Sequence, residues 1–337
     1  MASTIKDVAK MADVSISTVS RVINDSKPVS PEARRRVLHA IEVLDYKPNE
    51  VARSLVTKKS NLIGIIVSDI GNYYISQVLR GVEEIGRMYN YDILLSSSYG
   101  DPEVELKFAK LFSQKQVEGI IVISEILNQK LIYKLDEFKI PYLVMNRFYN
   151  IEEAPTVSIN NKDASYKMTN HLLEMGHKKI CYIALRKDMD RTNEIYKIKG
   201  YRQAMIERDL DAPLIYIEGT GEEDLQDILP EILAAKKEGV TAFYCTQDLL
   251  AIHLLNAFRD HGIDVPGEVS VCGFGGSDIA GLVRPRLTTV KEPYYDIGAV
   301  AIRRLLKTIE MKGVRVEEDP MLLPVEVIKR DSVKELS

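Results

Sequence analysis

Hydrophobic and polar positions divide the chain into a short first part and a long second part. From residue 62 onward, strand-length apolar runs alternate with longer stretches whose apolar residues recur at helical spacing. The runs lie at residues 62–67, 92–95, 119–123, 141–145, 180–184, 214–217, 242–245 and 269–273, and the helical stretches include residues 74–89, 163–175, 194–208 and 248–261. This alternation predicts an α/β body of two doubly wound parallel-sheet lobes, with a ligand cleft at the carboxyl ends of the strands.

The first part has the pattern of short helices joined by a tight turn. Thr4 can cap a helix over residues 5–12. Asp7, at the third helical position, can accept a hydrogen bond from the Thr4 backbone N–H in return. Asp13 stands at the corner, where its short polar side chain tolerates a left-handed backbone, and Ser15 can cap a second helix over residues 16–23. This spacing predicts an all-α helix-turn-helix head, and the alternative is a generic small helical bundle.

A third helix, and a segment expected to become helical only on contact, complete the first part. Ser30-Pro31-Glu32 opens a helix to about Leu44, packed through Val37, Leu38, Ile41 and Leu44. Residues 48–57 predict a helix too short to be stable alone, so contact must order it. The alternative is an ordinary linker, in which Leu55 would be an incidental apolar residue.

Charge and composition narrow the class of protein. The 337 residues are 45% hydrophobic and 28% charged, which suffices for two or three packed domains. The first 60 residues carry a net charge of +4 and the remainder −8. This asymmetry suits a head that meets a polyanion, although chance also produces differences of this size. With no membrane-length apolar run and no leader pattern at the N-terminus, we expect a cytoplasmic protein.

Enzyme and cofactor motifs are not found in the sequence. The three cysteines, Cys181, Cys245 and Cys272, have neither disulfide nor zinc spacing. The glycine-rich run at residues 273–277 lacks the spacing of a dinucleotide loop, and the five histidines form no nucleophile or metal arrangement. We therefore expect neither an enzyme nor a cofactor.

Three motifs resemble the LacI/GalR family of transcription regulators. They are Thr4-Ile5-Lys6-Asp7-Val8-Ala9, then Val14-Ser15 with Thr18-Val19-Ser20-Arg21-Val22-Ile23-Asn24, and finally Tyr46-Lys47-Pro48-Asn49 with Ala52-Arg53-Ser54-Leu55. The likeness continues to about Arg330 and is closest to the catabolite control branch of low-GC Gram-positive bacteria. It implies a type I periplasmic-binding-protein-like body and a homodimer on double-stranded, pseudo-palindromic operator DNA.

The resemblance also implies which residues meet DNA. Ile16, Ser17 and Arg21 would read base edges, and the guanidinium of Arg21 can hold a guanine through two hydrogen bonds. The phosphate contacts would be Thr4, Ser15, Thr18, Ser20 and Asn24, although each is also explained as a cap. In the minor groove, paired hinge helices would place Asn49, Ala52 and Leu55, with Leu55 as the wedge.

Effector contacts carry over from the family position by position. They are Asp69, Tyr73, Tyr74, Asn146, Arg147, Asn160, Arg191, Asp248 and Gly275. Family members usually have carboxylates at three of these positions, where this chain has Asn146, Asn160 and Gly275. We therefore hypothesise an anionic effector, a sugar phosphate or sugar acid, bound by Arg147, Arg191 and Arg186. The alternative is that these arginines only pair with acids of the lobes.

A last resemblance concerns the helix near the C-terminus. In the catabolite control branch this helix binds serine-phosphorylated HPr, the phosphocarrier protein, and the matching residues are Tyr295, Asp296, Arg303, Arg304 and Lys307. The basic side chains at helical spacing suit a phosphoserine, and an ordinary solvated face explains them equally.

These expectations combine into one function and one domain division. We expect a repressor of carbohydrate-utilisation genes controlled by a small sugar-like effector, or alternatively a global catabolite regulator whose main effector is HPr. The expected domains are residues 1–47 for DNA binding, 48–60 for the hinge and 61–337 for effector binding and dimerisation. Within the last, we expect an N-lobe at about 61–159 and 290–320 and a C-lobe at about 160–289 and 321–331.

Overall fold

The computed structural model describes residues 3–25, 27–46, 59–124, 128–145, 156–186, 193–311 and 321–336. The chain separates into two compact units, residues 1–60 and 61–337, and each is considered by itself. No helix in these described ranges is both long and apolar enough to cross a bilayer.

The first unit contains three helices around a small core. These are α1 (Ile5–Met11), α2 (Ile16–Asn24) and α3 (Pro31–Val43). Asp13 takes the corner between the first two with a φ of +49°, which confirms the left-handed turn expected there. Val8, Val19 and Val37 meet in the core and are fully buried. The expected packing role of Leu38 is wrong: it is 50% exposed, because it lies about 100° around the helix from Val37, and Ala40 takes the inner face.

The second unit consists of two lobes, each built on a six-stranded sheet. In the first lobe the strand order is β11-β5-β4-β3-β1-β2, and all neighbours pair in parallel. Helices α4 and α11 cover one face, and α5 and α6 cover the other. The strands are β1 (Leu62–Val67), β2 (Asp92–Ser97), β3 (Gly119–Ile123), β4 (Tyr142–Met145), β5 (Thr156–Ile159) and β11 (Met321–Leu323), and the helices are α4 (Tyr73–Met88), α5 (Pro102–Gln114), α6 (Gln129–Phe138) and α11 (Tyr294–Glu310).

The second lobe repeats this plan with the order β12-β10-β9-β8-β6-β7, in which only β12 is antiparallel. Helices α7 and α8 cover one face, and α9 and α10 cover the other. The strands are β6 (Ile180–Leu185), β7 (Leu214–Ile217), β8 (Ala242–Cys245), β9 (Ser270–Gly275), β10 (Thr288–Lys291) and β12 (Glu326–Ile328), and the helices are α7 (Asn161–Glu174), α8 (Glu194–Ile206), α9 (Glu222–Lys237) and α10 (Asp248–Asp260).

The chain passes between the lobes three times. It leaves the first lobe after β5, returns between β10 and α11, and crosses again between β11 and β12. The last two crossings lie a few residues later than expected. The ladder of β10 with β9 runs to Lys291, and β11 adds an edge strand to the first sheet beside β5. Backbone pairing, rather than sequence composition, decides these positions.

Glycines allow two pairs of helices to cross at backbone distance. A Cβ on Gly81 of α4 would overlap the carbonyl oxygen of Tyr295 in α11, and one on Gly298 would overlap that of Val78. In the second lobe, a Cβ on Gly200 of α8 would overlap the carbonyl oxygen of Lys162 in α7. Helix backbones this close leave no room for any side chain at the crossing.

The last residues of the chain pack on the second lobe and enclose a histidine. His177 Nε2 lies 3.1 Å from the carbonyl oxygen of Lys334, which can only accept, so Nε2 carries the proton. Nδ1 then accepts from the Thr241 hydroxyl at 2.9 Å. The ring is fully buried, and burial lowers the pKa of His177 to about 4.

This histidine makes the stability of the body depend on pH. The unfolded chain, where the pKa is near 6.5, binds a proton more readily than the folded chain. Stability is therefore complete above pH 6.5 and is lost as the pH falls towards 4, by about 2 kcal/mol at about pH 5. Urea unfolding at neutral and acidic pH measures the loss. In His177→Gln, which does not titrate, the pH dependence should shrink by that amount, and an unchanged dependence would contradict the assignment.

Candidate functional site

The start of α2 presents polar and apolar side chains to solvent. The Ser15 hydroxyl caps the helix by accepting from the Thr18 backbone N–H at 3.2 Å, and it lies 2.8 Å from the Ser17 hydroxyl. Ile16, 45% exposed, and Arg21 lie on the outer side of the helix, whose inner side is anchored by buried Val19. The structure thus brings the three predicted base-reading residues to one exposed surface.

The residues predicted to contact phosphates differ in exposure and in hydrogen bonding. Thr4 is exposed, but its backbone N–H and its hydroxyl both donate to Asp7 Oδ2, at 2.9 and 2.7 Å, and this lowers the pKa of the Asp7 carboxyl. Thr4 can therefore donate its hydroxyl proton to a phosphate only by releasing Asp7. Thr18 and Ser20 are half-buried, and the side chain of Asn24 lies outside the described part.

Two of the three consecutive arginines on α3 are paired within the head. Arg34 lies 2.6 Å from Asp25, and Arg36 lies 3.9 Å from Asp13. Both aspartates have left-handed backbones at the ends of helices, so each ion pair connects α3 to a turn. These pairs are exposed and contribute little to stability, but they reduce the positive charge on α3.

Six predicted site residues lie outside the described residues. They are the hinge residues Asn49, Ala52 and Leu55 and the cleft residues Asn146, Arg147 and Arg191. Their assigned roles stay predictions.

Two tyrosines of the first lobe follow the carboxyl end of β1, where the cleft is predicted. Tyr73 and Tyr74 begin α4, which Asn72 caps by accepting from the Tyr74 N–H at 3.0 Å. Both rings meet the ring of Tyr294 edge-on, with centroids 6.3 and 4.9 Å away. Asp69 is exposed and accepts from the Gly71 N–H at 2.9 Å, so it also shapes the turn before the helix.

Two other predicted cleft residues hold backbone in place. Asn160 caps α7 by accepting from the Asp163 N–H at 2.9 Å. Asp248 is only 4% exposed, and its two oxygens accept from the Thr289 hydroxyl at 2.5 Å and from the Ser277 N–H at 2.6 Å. Burial raises the pKa of Asp248. These two hydrogen bonds hold the start of α10 against β10 and against the loop after β9.

Gly275 ends β9 in a backbone conformation that only glycine adopts easily, with a φ of +131°. A Cβ there would lie 3.0 Å from the Tyr294 hydroxyl oxygen. That hydroxyl donates to Glu292 at 2.9 Å. Tyr294 and Glu292 are half-buried and were not identified from the sequence, because their link to Gly275 depends on backbone geometry.

A buried polar network beneath the second lobe's strand ends was also missed. Glu194 is 4% exposed and accepts from the hydroxyls of Tyr182, at 2.9 Å, and Thr246, at 2.5 Å. Lys197 donates to the Thr246 carbonyl at 3.0 Å and lies 4.0 Å from the centre of the Phe274 ring. Burial raises the pKa of Glu194, and the charge of Lys197 opposes that shift. The network fixes the start of α8, directly after the predicted cleft residue 191.

The one proposed anion-binding arginine that the structure describes is paired. Arg186 lies 3.3 Å from Glu218 at the end of the neighbouring strand, and its guanidinium stacks over Tyr216 at 5.7 Å. For this residue the geometry matches the alternative reading, in which a lobe acid neutralises the arginine.

The proposed HPr-binding residues do not share one environment. Arg303, Lys307 and Asp296 are exposed on α11, whereas Tyr295 is half-buried. Arg304 is also half-buried and donates to the Thr156 carbonyl at 3.2 Å, so it faces the first lobe's sheet. Among the basic side chains of α11, Arg303 and Lys307 are therefore the exposed ones, one helical turn apart.

Comparison with known proteins agrees with this architecture. Residues 4–49 match the lacI family of bacterial regulatory proteins, and residues 169–333 match periplasmic binding protein-like domains. The chain is 37% identical to the HTH-type transcriptional regulator RegA of Clostridium saccharobutylicum, over 98% of this chain and 99% of that protein. Catabolite control protein A of Priestia megaterium is 35% identical, with 98% of this chain and 99% of that protein covered. The structure of the transcriptional regulator CelR with cellobiose has a TM-score of 0.73 at 26% identity, covering 98% of this chain and 99% of that chain.

Proposed function

Because the chain belongs to the lacI family of bacterial DNA-binding regulatory proteins, we propose that it represses carbohydrate-utilisation genes under the control of a sugar-like effector. Its relatives are transcriptional regulators rather than enzymes. The observation that carries the proposal is the exposed start of α2, where a capped helix presents Ile16, Ser17 and Arg21 together. A helix N-terminus of this kind suits entry into the major groove.

We further propose that two copies act together. On the second lobe, Leu249, Ile279 and Leu282 are 48%, 53% and 75% exposed. The hydrogen bond from the Ser277 N–H to Asp248 brings their two chain segments together. Large exposed apolar side chains on neighbouring segments are typical of a protein interface. A homodimer would present two heads, as a pseudo-palindromic operator requires.

In this proposal, the two-lobed body lets a ligand control DNA binding. Tyrosines from the first lobe and the Gly275 region of the second meet at the strand ends, where such sheets bind ligands. CelR, a similar protein, was solved with cellobiose. We place the head at residues 1–47, the hinge at 48–60 and the body at 61–337. A ligand that changes the lobe geometry would decide whether two hinges can pair on DNA.

A second candidate is a global catabolite regulator that binds serine-phosphorylated HPr. Exposed Arg303 and Lys307 on α11 favour it, because two cations one turn apart can hold a phosphoserine. The similarity to catabolite control protein A supports it no more strongly than it supports the sugar-controlled repressor.

Selection of binding sites from random duplex DNA tests the proposed function. We expect a palindrome to be enriched, and Arg21→Ala should weaken binding to it by about 1–3 kcal/mol while relaxing the preference at one position of each half-site. Arg35→Ala is the matched control, because it removes an exposed arginine from α3 and should affect all duplexes alike. Leu55→Ala should abolish the preference at the centre of the palindrome.

The outcomes separate the alternatives clearly. If no sequence is enriched even at low salt, the repressor proposal fails. If Arg21→Ala and Arg35→Ala weaken all duplexes equally, α2 is not the helix that reads the bases.

A further inference from the structure

Three residues at one edge of the first lobe's sheet form a hydrogen-bonded cluster. Asn61, Tyr91 and Glu118 directly precede β1, β2 and β3, which are neighbours in that sheet. Glu118 Oε1 accepts from the Asn61 backbone N–H at 2.7 Å, and its Oε2 accepts from the Tyr91 hydroxyl at 3.0 Å. Because the three strands are parallel, the cluster lies at the edge opposite their carboxyl ends, where the cleft is predicted.

The cluster holds Asn61 in a left-handed backbone conformation, with a φ of +52°. Asparagine tolerates this conformation better than most residues with a side chain, and a single left-handed residue turns the chain. The Asn61 carbonyl oxygen accepts from the Asp92 N–H at 2.8 Å, so both backbone polar groups of this residue are bonded. The direction in which the chain enters β1 is therefore fixed.

Tyr91 keeps the carboxylate of Glu118 in place. Its ring packs against the core of the lobe, and its backbone N–H donates to the Gly86 carbonyl, near the end of α4, at 2.9 Å. Burial first, and then the negative charge of Glu118, raises the pKa of Tyr91, so its hydroxyl keeps the proton that it donates. Asn61, Tyr91 and Glu118 are all half-buried, so water competes less with these hydrogen bonds than it would on an open surface.

Asn61 is also the first residue of the body after the hinge predicted at residues 48–60. We propose that Glu118 and Tyr91 position this hinge for the centre of the operator, by fixing the backbone from which it extends. The inference rests on the proposed function, because it concerns how that regulator binds DNA. A short helix that forms only on DNA loses conformational freedom when it binds. With one end attached to a fixed backbone, part of this freedom is already lost before binding, so binding is tighter.

Binding of duplex DNA by the full-length protein tests this proposal. The measured quantity is the ratio of the affinity for the selected palindrome to that for the same duplex with a changed central step. Glu118→Ala should lower this ratio about tenfold, the effect of one lost hydrogen bond, without changing the preference within each half-site. Glu118→Gln should keep the wild-type ratio, because its amide oxygen can accept from the Asn61 N–H and its NH₂ group can donate to the Tyr91 oxygen.

Glu105→Ala is the matched control. Glu105 is another carboxylate of the same lobe, 2% exposed, which accepts from Asn128 Nδ2 at 2.9 Å; it lies in the first turn of α5, after the carboxyl end of β2. Its removal should leave the ratio unchanged, because a partly unfolded sample binds less DNA without changing its preference between two duplexes. In a Leu55→Ala background, Glu118→Ala should lower the ratio no further, because both changes act on the same central contact.

Three results would overturn the inference: an unchanged ratio in Glu118→Ala, an equal fall in Glu105→Ala, or a fall in Glu118→Gln as large as that in Glu118→Ala. A wild-type protein that selects no palindrome refutes the repressor proposal, and the inference with it. A selected palindrome whose central preference is the same in the wild type and in Glu118→Ala refutes the inference alone.

Discussion

Gly200→Ala should destabilise the body by about 3 kcal/mol, because the new methyl group would overlap the Lys162 carbonyl and force α7 and α8 apart. A backbone carbonyl cannot rotate away as a flexible side chain can. Urea unfolding followed by circular dichroism measures the change, and a lower yield of soluble protein is expected as well.

Gly86→Ala provides the matched control for this prediction. Gly86 also lies inside a helix, but a Cβ there would meet its nearest neighbour, Ile93 Cδ1, at 3.5 Å, an ordinary contact. The added methyl should therefore leave stability unchanged or raise it by up to about 1 kcal/mol through helix propensity. Equal unfolding midpoints for the two variants would show that the α7–α8 crossing adapts to a side chain.

Asp248→Ala should cost about 3 kcal/mol, because it leaves the Thr289 hydroxyl and the Ser277 N–H without their buried acceptor. Asp248→Asn should cost only about 1 kcal/mol. Its amide oxygen can accept from Ser277, while its NH₂ group donates to the Thr289 oxygen. The difference between the two variants in urea unfolding measures the structural role of the carboxylate.

A contrary result for Asp248 would be equally informative. If Asp248→Ala unfolds at the wild-type midpoint but loses affinity for a neutral sugar, the residue contacts the ligand rather than holding the strands. Thr169→Val is a suitable control, because this buried hydroxyl bonds only within its own helix, to the Ser165 carbonyl at 2.8 Å.

Local signals in the sequence predicted much of the fold. The caps of α1 and α2 and the left-handed corner at Asp13 depend on residues within a few positions of one another. Likewise β1, β3, β7 and β8 begin and end as predicted, because buried parallel strands are continuous apolar runs. Four strands, β5, β10, β11 and β12, were missed. Their runs of three or four residues are too short or too interrupted by polar residues to show periodicity, and only pairing with a distant strand defines them.

The candidate site was less predictable for the same physical reason. Arg186 is neutralised by Glu218 from the next strand, and no spacing along the chain shows that pairing. The proximity of Tyr294 to Gly275 requires both a positive φ and the fold of α11 against the lobe boundary. The residue types in the sequence indicated where a ligand would bind. They did not show which of those side chains already bond to other residues of the protein and so have less capacity for a ligand.

The three crossings between the lobes determine the order in which the chain can fold as it leaves the ribosome. The second lobe has most of its sheet and all four of its helices once residue 291 has emerged. The first lobe, although synthesised earlier, needs α11 to cover α4 and β11 to complete its sheet. The nascent first lobe therefore leaves the face of α4 that packs against α11 uncovered until residues near 310 are made. A premature stop codon near residue 320 would remove the edge strand from both sheets at once.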